Sequence, residues 1–491
     1  MKKVIVIGSG IAGLSAAIYA QRSGFNVTIC EQHSLPGGMC TSWKRKGYLF
    51  EGSIHWMTGS SPKTELHQLW QETGALSDKV NVILKDPFYA VEWEGRIISL
   101  YRNIEKTVKQ LIDLSPDDRP QLHRLMNEVK AFYSIKMPVF DIKGVKAQNP
   151  KRLSISGILK MLLAYPKVAG LRKISCKNYI ERFKHPAIQR LLSFLPDDYA
   201  AISLVATLST LDTGDGGYPD GGSLAMVERM VQTFKSMGGT LLLSTHVRKI
   251  NIENNVFTGV TLDNGIMAAD AVIVTQETIN ALNTLFDIPL PDPWVSDIRY
   301  AKPEACTFIG MGIRAQLPRG TIATWKLDEP IPYAGKLVQE IILFNYTGFE
   351  GFAPEGCSII TSVLMGDAYD FWKKAREEGR YEEEKRTLAG HINRAICTKY
   401  PQAEGNIEVM DIATQLTFER YTGAYHGSWM SVSGVGDRMK MYPGYLKDIS
   451  GVYFAGHRLM PPGGLPVAVC SGRTAAQRVC RQFDVMFKNS L

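Results

Sequence analysis

The apolar positions of this chain fall into continuous runs, alternating runs and helical stripes. Residues 4–7 (Val-Ile-Val-Ile) form a continuous β-branched run, the pattern of a strand buried on both faces in a parallel sheet. Residues 14–21 carry a helix closed by Gly24, and 27–30 a second strand that ends on Glu31. Residues 43–56 read as one strand followed by a loop. Residues 64–73 place Leu66, Leu69 and Trp70 on one helical face, and Gly74 stops it. Residues 88–93 and 96–100 flank Glu94-Gly95 as a hairpin, and 103–200 are mostly helical.

Farther along, a turn at 218–224 opens a helix to Met237, stopped by Gly238-Gly239. Strands follow at 240–244, 247–252, 259–262 and 271–275, with turns at Asn254-Asn255 and Asp263-Asn264-Gly265. Strand-like runs at 307–313, 337–345 and 358–364 accompany one charged helix over 368–399. Residues 451–456 are a strand ending on glycine, and 461–469 open a last helix.

Since 270–274 and 451–456 both read as returns to the first sheet, the fold class is α/β with an α+β part. A discontinuous Rossmann-like domain takes 1–78, 211–300 and 431–491. A helical part at 79–210 and a sheet part at 301–430 are inserted into it.

The first forty residues carry chemistry. In Gly8-Ser9-Gly10-Ile11-Ala12-Gly13, Gly8 permits a tight turn, Gly10 lets backbone approach a pyrophosphate, and Gly13 lets the helix pack near the strand. Open N–H groups and the positive dipole end of the helix face the phosphates, and Glu31 is placed to accept from ribose hydroxyls. With strand, helix, second strand and acid all present, the unit reads as a dinucleotide site. Leu35-Pro36-Gly37-Gly38-Met39-Cys40 adds a second bare backbone segment, which an FAD needs and a simple nicotinamide domain does not. At the other end, Gly456 and Leu465, Pro466 and Val467 set a helix N-terminus where negative charge builds on a reduced flavin ring.

Composition narrows the picture. The 491 residues have room for two or three domains. No apolar run reaches the length of about 18 residues that a membrane span needs. The first strand begins within three residues of Met1, which leaves no room for a signal peptide and predicts a cytoplasmic protein. The eight cysteines form no CxxC pair and the nine histidines are isolated, so no metal is expected. A net charge of +8 comes without a nucleic-acid motif, so no nucleic-acid partner is expected. Two readings of that charge stay level: a mildly basic soluble enzyme, or contact with an anionic membrane surface. Residues 158–171 are apolar with basic punctuation, and Lys151, Arg152, Lys160, Lys167, Arg172, Lys173 and Lys177 surround them.

The unit from Gly8 to Glu31, the Gly37-Gly38 pair, Pro219-Asp220-Gly221-Gly222 and the stretch from Gly456 through 461–469 together resemble the FAD-dependent phytoene desaturase, carotenoid isomerase and retinol saturase group of the amine-oxidase-like flavoproteins. Phe50-Glu51-Gly52-Ser53-Ile54-His55 is similar to a Phe-Asp-x-Gly-x-His segment of the saturase and isomerase branch. The resemblance spans nearly the whole chain. It implies FAD contacts at Gly8, Gly10, Ile11, Ala12, Gly13, Glu31, Gly37, Gly38, Met39, Val247, Gly456, Leu465, Pro466 and Val467. It also raises the membrane reading, with peripheral contact on the inner face. One departure stands out: His457 follows Gly456 where relatives often carry an acid that bonds the ribitol.

The resemblance implies a desaturase, saturase or redox-neutral isomerase of a long apolar polyene or isoprenoid such as a carotenoid or retinoid, with hydride exchanged at flavin N5. His55 is the candidate proton donor or polar orienter, and Trp56 and Tyr425 are candidate cavity walls. A flavin amine oxidase, a reductase of a smaller apolar substrate, and a non-enzymatic FAD-binding scaffold are the competing readings. No second GxGxxG unit is evident, so electrons are exchanged with NAD(P)H without a domain of its own, or with an external donor or acceptor. Oligomeric state stays open.

Overall fold

The computed structural model describes residues 1–135, 139–151, 155–300, 302–431, 434–436 and 440–490; within these, the side chains of Ser156 and Lys167 are outside the description. Two sheets organise the chain. The first has five parallel strands in the order Val452–Phe454, Ala271–Val274, Lys3–Ile7, Asn26–Cys30 and Thr240–Leu242. Lys3–Ile7 is central, so Val4 to Ile7 are covered on both faces, which is why the run carries no polar alternation.

The second sheet has seven strands in the order Ile407–Ala413, Cys306–Ile313, Ser358–Met365, Lys336–Asn345, Ile322–Tyr333, Tyr89–Trp93 and Arg96–Leu100. Its joins are antiparallel except that Ile322–Tyr333 runs parallel to Tyr89–Trp93. The early hairpin therefore extends a sheet whose other strands all come after residue 300. Helices such as Ile104–Leu114, Arg119–Phe132, Ile155–Val168 and Ala201–Asp212 fill the segment between.

The structure corrects two sequence expectations and adds two strands that the pattern did not predict. Residues 43–56 do not hold one strand: Ser42–Arg45 and Tyr48–Glu51 pair as a hairpin, turned by Lys46 and Gly47, both at positive φ. The expected helix over 368–399 is two, Tyr369–Glu377 and Tyr381–Lys399, because Gly379 takes a φ of 73° between them. Strand Ile322–Tyr333 lacks a clean alternation because its pairing shifts register between Lys326 and Ile331. Gly265–Ala268 is a further strand, paired with Val256–Leu262.

The first and last helices, Ile11–Arg22 and Leu465–Gln482, pack against each other at one tight point. A Cβ on Gly472 would lie 2.4 Å from the Ala12 carbonyl oxygen, and the Ser15 hydroxyl donates to the Val469 carbonyl at 2.8 Å. Gly472→Ala is expected to cost about 1–3 kcal/mol of folding stability through overpacking, read as a lower urea midpoint. An unchanged midpoint would show that the two helices separate without cost.

Candidate active site

The glycine turn closes on itself. Gly8 has a φ of 99°, and its N–H donates to the Cys30 carbonyl at 2.8 Å. A Cβ on Gly13 would lie 2.0 Å from the Gly8 carbonyl oxygen, so only glycine lets the helix start this close to the strand. Gly37-Gly38 lies directly against the turn. Gly37 bridges Gly10, its N–H donates to the Ser9 carbonyl at 3.1 Å, and a Cβ on Gly38 would sit 3.4 Å from the Gly10 Cα. The two glycine segments form one backbone cradle.

Glu31 is buried at its rim. Its Oε2 accepts from the Ser9 N–H at 2.8 Å and hydroxyl at 2.7 Å, and its Oε1 accepts from the His33 N–H at 2.9 Å.

A cavity of about 970 Å3 opens from this cradle. Of the expected cofactor contacts, Gly8, Gly10, Ile11, Ala12, Glu31, Gly37, Gly38, Met39, Val247, Gly456, Leu465 and Pro466 line it. Gly13 packs beneath the turn, and Val467 is buried in the first turn of the last helix; neither is in the lining. Two helix N-termini face the cavity, at Gly10 and Gly464, and no side chain caps either one. Their first N–H groups are left for a ligand. His457 Nδ1 and Trp429 Nε1 are also buried without a hydrogen-bond partner among the described residues, and both residues line the cavity. Backbone cradle, ribose acid, two open helix ends and unpartnered polar atoms fit a flavin dinucleotide along this wall.

The segment that carries His55 is anchored by Glu51. This fully buried carboxylate accepts from the Ser53 and Ile54 N–H groups at 2.9 and 3.1 Å, the Ser223 N–H at 2.9 Å, the Ser223 hydroxyl at 2.5 Å and the Tyr218 hydroxyl at 2.8 Å. Burial raises its pKa while these donors pull it back down. His55 and Trp56 both line the cavity. The His55 ring stacks on Phe344 at 3.8 Å, and its Nδ1 is 3.2 Å from the Tyr346 hydroxyl. Burial, aided by the nearby Lys85 cation, lowers its pKa to about 3, so it presents a neutral imidazole. Trp56 meets Phe88 edge to face at 5.4 Å.

Tyr425 is not in the lining. It stacks on His426, which in turn stacks on Tyr369, both at 4.2 Å. Its neighbours Ala424 and Ser428 face the cavity instead. Buried Arg458 ties this segment to the end of the first sheet through Glu277, the Ser428 and Ser431 hydroxyls and the Met430 carbonyl.

Sequence reading missed Glu51 as an anchor, although it is the one acid between an apolar run and the Gly52 loop. It also missed Phe344, Tyr199 and Glu304, which line the cavity from distant strands and carry no local signal. Cys470 does not line the cavity, and burial pushes its thiol up to about 12.

A model of the family described as flavin containing amine oxidoreductase matches residues 11–480. The chain is 23% identical to a 1-hydroxycarotenoid 3,4-desaturase of Flavobacterium sp. (strain P99-3), over 98% of this chain and 99% of that protein. It is 25% identical to a lycopene-forming phytoene desaturase of Paracoccus sp., over 97% of each, and 25% identical to prolycopene isomerase 1 of an Oncidium hybrid cultivar, over 98% and 84%. Among solved structures, cyclohexylamine oxidase from Brevibacterium oxydans superposes with a TM-score of 0.61 at 15% identity, over 98% of this chain and 99% of the other. An oxidoreductase from Methanosarcina mazei superposes at 0.59 and 16% identity, over 97% and 99%.

Two outcomes follow from this geometry. Glu51→Ala strands five donors and should lower unfolding stability by at least about 3 kcal/mol in urea titration; a change under about 1 kcal/mol would show that the loop is held by other contacts. His55 and His457 both have pKa values lowered to about 3 from 6.5, largely by burial. Their folded form needs them neutral, so the stability they contribute is present above pH 6.5 and is lost as pH falls toward 3. His55→Phe should flatten part of that acid limb, read as urea midpoint against pH. An unchanged slope would mean that His55 titrates freely in the fold.

Proposed function

The chain belongs to the flavin containing amine oxidoreductase family, its cofactor is FAD, and from that premise we propose that it acts on a C–C or C=C bond of a long polyene or isoprenoid. The observation that carries this reading is the cavity, whose wall beyond the cradle includes Trp56, Phe88, Ile342, Phe344, Val363 and Leu364. With the cofactor seated along the cradle, the space left beside it is bounded by these apolar and aromatic side chains, which suit a hydrocarbon better than a small polar amine. The full-length similarity to carotenoid desaturases and prolycopene isomerases supports the same class.

When bound, FAD supplies hydride exchange with the substrate carbon. The protein's part is positional. The cradle and the uncapped helix start at Gly10 would hold the pyrophosphate, and Glu31 would accept from the ribose. The second open helix start, at Gly464, favours negative charge at the ring end. Phe344 and Trp56 keep water from the reacting bond. Of the two roles expected of His55, a neutral imidazole fixed between Phe344 and Tyr346 serves as the orienter. Electrons would be exchanged with NAD(P)H, bound without a separate domain of this chain, or with an external donor or acceptor.

The substrate class points to a membrane. Helix Ile155–Val168 leaves Ile155, Leu159, Leu162 and Leu163 57–85% exposed, with Lys160, Lys173 and Lys177 exposed around it. Lys151, expected among the surrounding cations, is turned inward to Glu72 at 3.2 Å; Arg152 and the Lys167 side chain lie outside the described residues. No helix among the described residues is long and apolar enough to cross a membrane, so this helix would lie on an anionic surface.

FAD-loaded protein incubated with a linear polyene should change the number or geometry of its conjugated double bonds, followed by absorption and chromatography. Amine oxidation with peroxide release and an unaltered polyene would overturn the reading. In sedimentation with vesicles containing anionic lipid, Leu162→Glu/Leu163→Glu should weaken binding by tenfold or more, since each exposed leucine contributes about 1.5–3 kcal/mol on burial. Equal binding of both proteins would remove the helix as the contact.

A further inference from the structure

We infer that Glu304 and Tyr199 form a subsite that binds a hydroxyl group carried by an otherwise apolar substrate. This deepens the polyene reading above and rests on it.

Glu304 ends the short strand Pro303–Glu304, which pairs with Met430–Ser431 beside the terminal loop. Tyr199 comes from the helical segment and bridges Gly434. The Tyr199 hydroxyl donates to Glu304 Oε2. Both residues line the cavity, yet Glu304 is only 9% and Tyr199 only 5% exposed. Among the described residues, Glu304 Oε1 takes no hydrogen bond.

Other buried glutamates that accept from a tyrosine are compensated, Glu51 by four further donors besides Tyr218, and the others by a cation. Glu72 meets Tyr19 and also Lys151 at 3.2 Å, and Glu128 meets Tyr179 and also Arg124 at 3.0 Å. Among the described residues no cation faces Glu304. The nearby charges are Asp198, which raises its pKa further, and Lys302, which points at Asp198 at 3.4 Å; the Cys306 thiol beside it is held neutral, its pKa pushed up to about 12. Burial is the main cause of a Glu304 pKa raised to about 7, so near neutrality the carboxyl both accepts and donates.

A hydrocarbon filling this chamber would cover Oε1 and leave it unpaired, and burying an unpaired polar atom disfavours binding. A hydroxyl at this point takes the open valence, giving to Oε1 or accepting from the protonated carboxyl. Ser203 and Thr207 also line the cavity, from Ala201–Asp212, whereas Ile342, Phe344, Val363 and Leu364 offer no hydrogen-bonding side chain. The wall thus distinguishes one polar point on the ligand from the rest of its length. Sites built to pair a hydroxyl discriminate strongly against the analogue that lacks it.

The test uses FAD-loaded protein and two linear polyenes of equal length and conjugation, one with a terminal hydroxyl and one without, with tryptophan quenching as the readout. Wild type should bind the hydroxylated polyene roughly 10–100-fold more tightly. Glu304→Leu should bring the two affinities together with flavin content unchanged. Tyr199→Phe, which removes one hydroxyl, should reduce the preference in part and guards against a folding failure of the first variant. Equal affinities in wild type, or an undiminished preference in Glu304→Leu, would overturn the subsite while leaving the polyene reading standing. Binding of dodecylamine with neither polyene bound would overturn the polyene reading and the subsite with it.

Discussion

A carboxylate sealed away from water holds the working wall in place. Glu51 ends a strand of the small hairpin, and its five donors come from the loop to His55, from the start of helix Gly222–Ser236 and from Tyr218. A buried carboxylate with so many donors has little freedom to shift, because each lost bond leaves a charged oxygen uncompensated. The position of His55 against Phe344 is therefore decided by contacts on the side away from the cavity. Gly222 is part of the same constraint: a Cβ there would lie 2.2 Å from Glu51 Oε2. The cavity keeps its shape partly through Glu51, Tyr218 and Ser223, which are not in its lining.

What could be read from sequence is what is local. The turn from Gly8 to Gly13 was legible because its steric demands fall within six residues and its strands are continuous apolar runs. The returns at Ala271–Val274 and Val452–Phe454 were legible for the same reason. The substrate chamber was not. Phe344 comes from the second sheet, Glu304 from the short pair with Met430–Ser431 and Tyr199 from the helical segment, so only the folded chain brings them together. Strand Ile322–Tyr333 hid for a related reason, since its parallel partner Tyr89–Trp93 lies more than two hundred residues earlier and its own alternation is broken by a bulge. Tyr425 looked like a cavity wall because aromatic residues cluster there, but it joins a ring stack with His426 and Tyr369 and leaves the lining to smaller neighbours.

The two ends of the cavity obey different electrostatics. At the cradle, nearly every contact is backbone, with open N–H groups that welcome negative charge. Deeper in, burial dominates, so His55 and His457 stay neutral and the Glu304 pKa is raised to about 7. The pattern keeps full charges away from the apolar wall and leaves polarity in hydrogen-bonding form. Arg458 is the exception that serves the rule, since its cation is consumed by Glu277 and by the hydroxyls of Ser428 and Ser431.

The packing of the first helix on the last has a consequence in time. The turn that would grip the phosphates is synthesised more than four hundred residues before the helix whose start serves the ring end and whose Gly472 locks onto Ala12. Domains fold largely in order of synthesis. A nascent chain of this protein therefore carries half a seat for its cofactor while everything between the two is made. Loading waits for helix Leu465–Gln482, and any chain cut short before it is left without flavin, however well its first sheet has formed.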